Sequence, residues 1–219
     1  MTSQAQKLTD AGARAEYVKC FSGAAANLHN LDVVKEEKQK ASLAALVRQA
    51  QEETVGCCDK PWRHFDEVDL FEEQFTADAR LKRRRILVLD GPSKYGKTEF
   101  AKALVGPGRA VEVNCANCSC EPPLQGIYRP LDHDLILLDE LKVETLLKNK
   151  RLLQGPPEIV VMGSTQSNRF TYQAFVYRKR IVIGSNTWRK ELKKCTKKDR
   201  DWVQANTVYV KVTAPLWVE

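Results

Sequence analysis

One loop between two apolar stretches constrains this chain of 219 residues more than any other feature. Residues 91–98 read GPSKYGKT and match the pattern G-x-x-x-x-G-K-[ST] without a gap. The four residues before the loop, 86–89, are all apolar, and apolar positions follow it at Phe100, Ala101 and Leu104. We therefore predict a buried strand, a tight loop and a helix in direct succession.

A loop of this kind binds phosphate through its backbone. Glycine allows successive N–H groups to point inward at an anion, and the helix that begins at Lys97 adds its positive dipole end. We expect Lys97 to reach the β- and γ-phosphates of a nucleoside triphosphate, and the Thr98 hydroxyl to bind Mg²⁺. The predicted phosphate-binding loop comprises Gly91, Pro92, Ser93, Lys94, Tyr95, Gly96, Lys97 and Thr98.

Apolar, β-branched runs recur after this loop, at residues 110–114, 135–140, 158–163, 180–186 and 207–212. Runs without polar alternation are typical of strands buried on both faces of a mainly parallel sheet. We predict an α/β fold of the P-loop nucleoside-triphosphatase type over residues 79–219, with a mainly parallel five-stranded sheet flanked by helices. Residues 1–78 show helical spacing of apolar positions and are predicted to form a small helical domain ahead of it.

Two of these runs end in polar side chains that suit phosphate chemistry. LILLDE ends in Asp139 and Glu140, and RIVIGSN ends in Asn186. Because ligands bind at the carboxyl ends of strands in α/β sheets, Asp139 is a candidate ligand of Mg²⁺. Glu140 is a candidate general base for an attacking water. The neutral amide of Asn186 can hydrogen-bond a γ-phosphate or orient that water.

GPSKYGKT, LILLDE and IVIGSN, in this order, resemble motifs A, B and C of the superfamily 3 helicases. The likeness is to the helicase domains of replication-initiator (Rep) proteins of circular single-stranded DNA viruses and their endogenised relatives, and it covers residues 86–188. The resemblance implies an AAA+-like core, ATP with Mg²⁺, a ring of identical subunits (often a hexamer) and 3′-to-5′ movement on single-stranded DNA. The matching residues are Lys97 and Thr98 in motif A, Asp139 and Glu140 in motif B, and Asn186 in motif C.

The resemblance also implies a hairpin between motifs B and C that carries basic and aromatic side chains into the ring channel. The corresponding segment here is GSTQSNRFTYQAFVYRKR, with its tip at residues 163–170. Its aromatic and basic side chains either contact nucleic acid or alternate into the packed face of a strand. The candidates for nucleic-acid contact are Arg169, Phe170, Tyr172, Arg178 and Lys179.

Ring ATPases of this kind complete one subunit's site with an arginine from its neighbour, which stabilises charge on the transferred phosphoryl group. Arg189, three residues after Asn186, is the first candidate, and Arg178 and Arg180 follow it. Sequence spacing alone leaves the choice among the three open.

The N-terminal part departs from this family. Viral Rep proteins begin with a nuclease that has a His-hydrophobic-His motif and a Tyr-x-x-Lys nucleophile. None of the three histidines stands in such a motif, and Cys20 occupies the position where a lysine would follow Tyr17. We therefore expect no DNA nicking. Residues 1–78 are either the end of such a nuclease followed by an oligomerisation collar, or an unrelated helical appendage.

The cysteines and the basic run at residues 80–85 bear on location. Seven cysteines, an odd number, favour free thiols in a reducing compartment, although Cys115, Cys118 and Cys120 have part of the spacing of a zinc site. RLKRRR at 80–85 is a nuclear-import signal, a nucleic-acid contact or a solvated strand entrance. No apolar run reaches the ~20 residues that span a bilayer, and no hydrophobic signal segment begins the chain. We expect an intracellular protein of nucleus or cytoplasm, without membrane association.

Charge is distributed unevenly along the chain. Residues 1–78 carry 9 basic and 14 acidic side chains, whereas residues 79–219 carry 26 basic and 14 acidic ones. A basic phosphate-binding domain favours a nucleic-acid partner, with single-stranded DNA expected and RNA as the alternative. We predict an ATP-dependent, ring-forming DNA helicase or translocase. The alternatives are a P-loop nucleotide kinase and a domesticated nucleotide-binding assembly module without unwinding activity.

Overall fold

The computed structural model describes residues 61–76, 83–118, 120–124, 128–162 and 172–218, and also residues 45, 46 and 49. The chain divides into two units, Met1–Val47 and Arg48–Glu219, and the fold below is that of the second. Most of the predicted helical domain lies outside the described residues, although 45, 46 and 49 are helical. In the part of the chain that the structure describes, no helix is long and apolar enough to cross a bilayer.

The second unit contains both strands and helices. In chain order they are α1 (Asp66–Glu72), a short 3₁₀ helix (Glu73–Phe75), β1 (Ile86–Asp90), α2 (Lys97–Ala103), β2 (Ala110–Asn114), β3 (Leu135–Asp139), α3 (Val143–Lys148), α4 (Lys150–Leu153), β4 (Val160–Met162), β5 (Tyr172–Ala174), β6 (Arg180–Ser185), α5 (Trp188–Leu192), α6 (Lys197–Asn206) and β7 (Thr207–Lys211).

Five strands form one parallel sheet in the order β2-β3-β6-β1-β7. Because every strand runs in the same direction, all five end at the same edge, here called the carboxyl edge. Asp90 lies opposite Ser185 at this edge, and Asp139 lies opposite Gly184. The predicted α/β P-loop fold with a five-stranded parallel sheet is confirmed.

Both faces of the sheet are covered. In β1, Ile86 and Val88 pack with Trp188 of α5 on one face, while Leu87 and Leu89 pack with α2 on the other. All five residues of β1 are buried. Burial on both faces explains why the strand reads as an unbroken apolar run.

The apolar run at 158–163 does not belong to this sheet. Its strand, β4, pairs antiparallel with β5 in a separate two-stranded sheet. Met162 is buried whereas Val161 is 62% exposed, so one face of the strand is open to solvent. An antiparallel pair of strands with one face open to solvent is typical of a hairpin. A central parallel strand is instead buried on both faces. The predicted hairpin tip, residues 163–170, lies outside the described residues.

Residues 61–76, taken from the sequence as part of the helical region 1–78, pack against the sheet. Val68 and Phe71 of α1 are buried in the core on the α2 face. The chain around Trp62 runs antiparallel to the segment around Trp217, and Arg63 N–H donates to the Leu216 carbonyl at 2.7 Å. The domain boundary at residue 78 stays a prediction.

Candidate functional site

The predicted phosphate-binding loop connects the end of β1 to the start of α2 at the carboxyl edge. Gly96 precedes the helix with a φ of 78°, a left-handed conformation that glycine adopts without strain. A side chain here would also collide with Trp217, because a Cβ would lie 2.8 Å from its indole ring. The loop therefore depends on Gly96 both for its backbone path and for its contact with the C-terminal segment.

Lys97 is folded back over this loop and is only 8% exposed. Its Nζ donates to the carbonyl oxygens of Gly91 at 2.7 Å and Pro92 at 2.8 Å, and to Oδ1 of Asn186 at 2.8 Å. Burial lowers the pKa of Lys97, and the nearby carboxylates of Glu140 and Asp139 oppose that shift. A partly desolvated ammonium interacts more strongly with an incoming phosphate than a hydrated one does.

The side-chain amide of Asn186 joins the three sequence motifs. Its Oδ1 accepts from Lys97, while its Nδ2 donates to Oε1 of Glu140 at 2.5 Å and to Oγ of Ser93 at 3.0 Å. Residues separated by up to 93 positions in the chain therefore meet around one amide. The structure brings together the loop, the end of β3 and the end of β6, as the parallel topology requires.

Asp139 and Glu140 end β3 beside this amide. Burial raises the pKa of Glu140, and the neighbouring Asp139 carboxylate raises it further. Burial also raises the pKa of Asp139, with a second contribution from Glu112 on the adjacent strand. Glu140 has a φ of 55°, which is uncommon outside glycine and is found where the surrounding structure imposes it. Its backbone N–H donates to the Gly184 carbonyl at 2.8 Å, which ties this turn to β6.

The oxygen ligands that Mg²⁺ prefers are present at this edge. Thr98 opens α2 directly after Lys97, and the Asp139 carboxylate lies at the end of β3, two strands away from β1. Burial is the main cause of the raised pKa of Asp139, and repulsion from the Glu112 carboxylate on the adjacent strand adds to it. A divalent cation would relieve that repulsion, so the donor set fits Mg²⁺.

Sequence reasoning missed Asp90 and Tyr209. Asp90 is the buried last residue of β1, and its Oδ2 accepts from the Tyr209 hydroxyl at 2.9 Å and from the Arg189 backbone N–H at 3.3 Å. The Arg189 guanidinium lies 5.7 Å from the centre of the Tyr209 ring. The sequence signal that could have identified Asp90 is an acid that ends a buried strand just before the loop. No local pattern pointed to Tyr209, which is 119 positions away.

The other predicted residues lie away from this site. The Tyr172 hydroxyl donates to the Pro122 carbonyl at 3.3 Å and accepts from Leu124 N–H at 3.2 Å, and its ring packs against the core. Arg178 and Lys179 precede β6 and so lie at the edge of the sheet opposite the carboxyl edge. Arg169 and Phe170 lie outside the described residues.

The cysteines do not form a metal site in the described residues. Cys115 is buried at the end of β2, Cys118 is half-buried and Cys120 is exposed. Within the same part of the chain, one group of three potential ligand atoms lies within 4.8 Å of one another, and it is the exposed set His64, Asp66 and Asp69.

Comparisons with known proteins add little to this geometry. No protein-family model matches the chain, and no curated protein does. Among solved structures the chain is similar to Hsp104 in a closed state with ATPγS and FITC casein (13% identity, TM-score 0.41, 79% of this chain and 34% of that one). It is also similar to the S. cerevisiae Hsp104–ADP complex (16%, 0.38, 84% and 36%) and to Brucella abortus NtrX with ATP (15%, 0.36, 90% and 47%). The chain spans between about a third and a half of these proteins.

Proposed function

We propose that this chain hydrolyses ATP and uses the energy as a ring-forming helicase or translocase on single-stranded DNA. The observation that carries the hydrolase is the amide of Asn186, which is hydrogen-bonded to Lys97 of the loop and to Glu140 at the end of β3. A cation, an amide and a carboxylate with a raised pKa converge on one point beside a phosphate-binding loop. This is the arrangement that hydrolysis of a terminal phosphate requires.

Each residue has one role in the proposed reaction. The backbone of residues 91–98 and the Lys97 ammonium bind the β- and γ-phosphates, while Asn186 orients the attacking water. Glu140 accepts a proton from that water. At the same time the water oxygen forms a bond to the γ-phosphorus, and the bond between that phosphorus and ADP breaks. Its raised pKa makes it a stronger base than an ordinary glutamate. Thr98 and Asp139 would hold Mg²⁺, which supplies positive charge to the phosphate oxygens.

The DNA-dependent part of the proposal is supported by charge and by the position of the β4–β5 pair. Residues 79–219 carry an excess of 12 basic side chains, since 26 are basic and 14 acidic. The antiparallel β4 and β5 lie between β3 and β6 in the chain, where the resemblance implies a DNA-contacting hairpin. A ring of identical subunits is proposed on the same resemblance.

Two substitutions test the hydrolase. We expect Lys97→Ala to abolish tight binding of ATP, because the loop loses the buried ammonium that is hydrogen-bonded to its own Gly91 and Pro92 carbonyls. We expect Glu140→Gln to retain ATP binding and to lower the hydrolysis rate by about 10²–10⁴-fold, since a general base is lost. Phosphate release and binding of a fluorescent ATP analogue measure the two effects.

The matched control is Glu144→Gln, which makes the same chemical change on the exposed surface of α3. It should leave both binding and hydrolysis unchanged. A hydrolysis rate in Glu140→Gln equal to that of the control would remove Glu140 from the proposed reaction.

Single-stranded DNA separates the proposed function from its alternatives. A translocase should release phosphate faster when single-stranded DNA is added. Phosphoryl transfer from ATP to a nucleoside monophosphate would instead identify a nucleotide kinase. Nucleotide-dependent assembly with a DNA-independent rate would identify an assembly module.

A further inference from the structure

A cleft lies beside the phosphate-binding loop, and most of its lining residues have no role in the hydrolysis proposed above. Its volume is about 400 Å³, and its walls come from the loop, from α5 and from the end of β7. Six of the lining residues are Gly91, Pro92, Asn186, Arg189, Tyr209 and Lys211. The cleft therefore shares both the loop and the amide of Asn186 with the proposed phosphate site.

Arg189 is held in this cleft by residues of its own chain. Its backbone N–H donates to Asp90, and its guanidinium lies over the ring of Tyr209. The Tyr209 hydroxyl donates to the same carboxylate oxygen of Asp90, so both contacts depend on one buried acid next to Gly91. The aromatic ring stabilises a guanidinium that lies over it. The N–H groups at the edge of the guanidinium can still donate to an anion.

The charge at the proposed phosphate site calls for a further cation. Lys97 interacts with the nearby carboxylates of Asp139 and Glu140, and a bound triphosphate would add further negative charge. A γ-phosphate gains negative charge as it is transferred, and positive groups already in place stabilise that charge best. Arg189 is a cation of the same chain that lines a cleft continuous with the loop.

The two other arginines considered from the sequence are engaged elsewhere. Arg180 makes a bidentate ion pair with Glu72 at 2.6–2.9 Å. Arg178 lies over the ring of Tyr177 at the opposite edge of the sheet. Of the three, Arg189 alone lies at the carboxyl edge.

We propose that Arg189 acts on the nucleotide bound by its own chain, and that Tyr209 and Asp90 are positioning residues that hold it there. This inference rests on the proposed hydrolase and replaces the expectation that Arg189 serves a neighbouring subunit. Lys190 and Lys211 also line the cleft, so they add positive charge beside the loop.

Mixing two inactive variants tests the assignment. Arg189→Ala retains an intact loop, whereas Lys97→Ala retains Arg189. We expect Arg189→Ala alone to lose on the order of 10²-fold in hydrolysis rate, as when one preorganised donor to the developing charge is removed. If Arg189 acts within its own chain, adding excess Lys97→Ala leaves the rate per Arg189→Ala subunit unchanged. A rate that rises toward the unmodified value with the Lys97→Ala fraction would overturn the proposal.

A binding measurement gives a second readout that does not depend on turnover. We expect Arg189→Ala to bind a fluorescent ATP analogue more weakly by about tenfold, and by the same factor at every protein concentration. Weakening that appears only when subunits assemble would also overturn the proposal. Co-purification of differently tagged variants confirms that subunits exchange in the mixing experiment.

Two substitutions at Tyr209 distinguish a role in positioning Arg189 from a role in folding alone. Tyr209→Phe keeps the ring under the guanidinium, and we expect it to retain most of the hydrolysis rate. Tyr209→Leu removes the ring, and we expect it to lower the rate as much as Arg189→Ala does. The double variant Arg189→Ala/Tyr209→Leu should be no slower than Arg189→Ala alone, because the ring acts through the arginine. Additive losses would contradict the positioning role.

Failure of this inference differs from failure of the proposed function. If the unmodified chain hydrolyses ATP and Lys97→Ala does not, the proposed hydrolase function is supported regardless of the results for Arg189. An Arg189→Ala variant with the unmodified rate would then refute this inference alone. Equal rates in the unmodified chain and Lys97→Ala would refute the hydrolase itself.

Discussion

At the scale of single residues, the site depends on how closely β6 approaches β3. Gly184 pairs with Asp139, and a Cβ at Gly184 would lie 2.8 Å from Oδ1 of that carboxylate. Real Cβ atoms do not approach an oxygen so closely. The absence of a side chain at Gly184 therefore leaves the space that the Asp139 carboxylate, a proposed magnesium ligand, occupies.

Gly184→Ala tests this close approach. The added methyl group should displace the Asp139 carboxylate while the strand remains paired, because the end of a side chain moves more easily than backbone. We expect the hydrolysis rate at a fixed low Mg²⁺ concentration to fall on the order of 10- to 100-fold, and excess Mg²⁺ to restore part of it. A magnesium titration of phosphate release measures the effect.

Val182→Ala, in the same strand, is the control for Gly184→Ala. It removes buried apolar volume and should lower the free energy of unfolding without changing the magnesium dependence. The same magnesium dependence in Gly184→Ala and the unmodified chain would remove Asp139 from the proposed metal site.

At the scale of elements, the segment from α1 to the 3₁₀ helix is attached to the sheet by two arginines. Arg180, the first residue of β6, pairs with Glu72 and lies 4.7 Å from the centre of the Phe75 ring. Arg84 donates to the Gln74 carbonyl at 3.0 Å and lies over the same ring. Burial lowers the pKa of Arg84, and its Nη1 has no hydrogen-bond partner among the described residues. The cation–π contact with the Phe75 ring offsets part of the cost of burying the Arg84 guanidinium.

Glu72→Gln measures the strength of this attachment. The substitution removes the charge that Arg180 faces in a pair whose side chains are only 22% and 29% exposed. We expect the free energy of unfolding to decrease by about 1–2 kcal/mol, as for a charge-assisted hydrogen bond with partial solvent screening. Urea denaturation gives the value.

Glu144→Gln provides the comparison for Glu72→Gln, because Glu144 pairs with Lys148 on the open surface of α3. Exposed pairs of this type contribute little, so no measurable change is expected. Equal effects of the two substitutions would show that the Arg180–Glu72 pair is no stronger than a surface pair.

At the scale of the whole molecule, the proposed DNA partner rests on net charge. The chain carries a formal charge of +7, and the excess is concentrated in residues 79–219. Binding through phosphates releases counterions, so affinity for single-stranded DNA should fall with salt at a slope of about 0.7 per phosphate contacted. A partner recognised through apolar contacts would show little dependence on salt.

Arg178→Gln tests one such contact. We expect it to weaken binding of labelled single-stranded DNA similarly for all base sequences, and to reduce the salt slope by about 0.7. Fluorescence anisotropy over about 50–200 mM salt measures both effects. Lys148→Gln makes the same change in charge on α3 and should leave the slope unchanged. A salt response that is flat in the unmodified chain would contradict the proposed phosphate contacts.

Much of the site is predictable from sequence because its parts are local. The strand, the glycine-containing loop and the helix that begins at Lys97 are adjacent in the chain, so one short pattern identifies them. The same holds for Asp139 and Glu140, which directly end a buried run. Convergence of these residues with Asn186 then follows from parallel pairing, which places every strand end at one edge.

Sequence by itself therefore determined the α/β class, the loop and the carboxyl-edge residues, because each depends on neighbours a few positions away. Tertiary structure alone decided that β4 leaves the central sheet, that the Tyr172 hydroxyl bonds to backbone, and that Tyr209 and Asp90 contact each other and Arg189. The hydrogen bond between Tyr209 and Asp90 joins residues 119 positions apart. Such contacts depend on which strands become neighbours, and no local pattern of residue types encodes that choice.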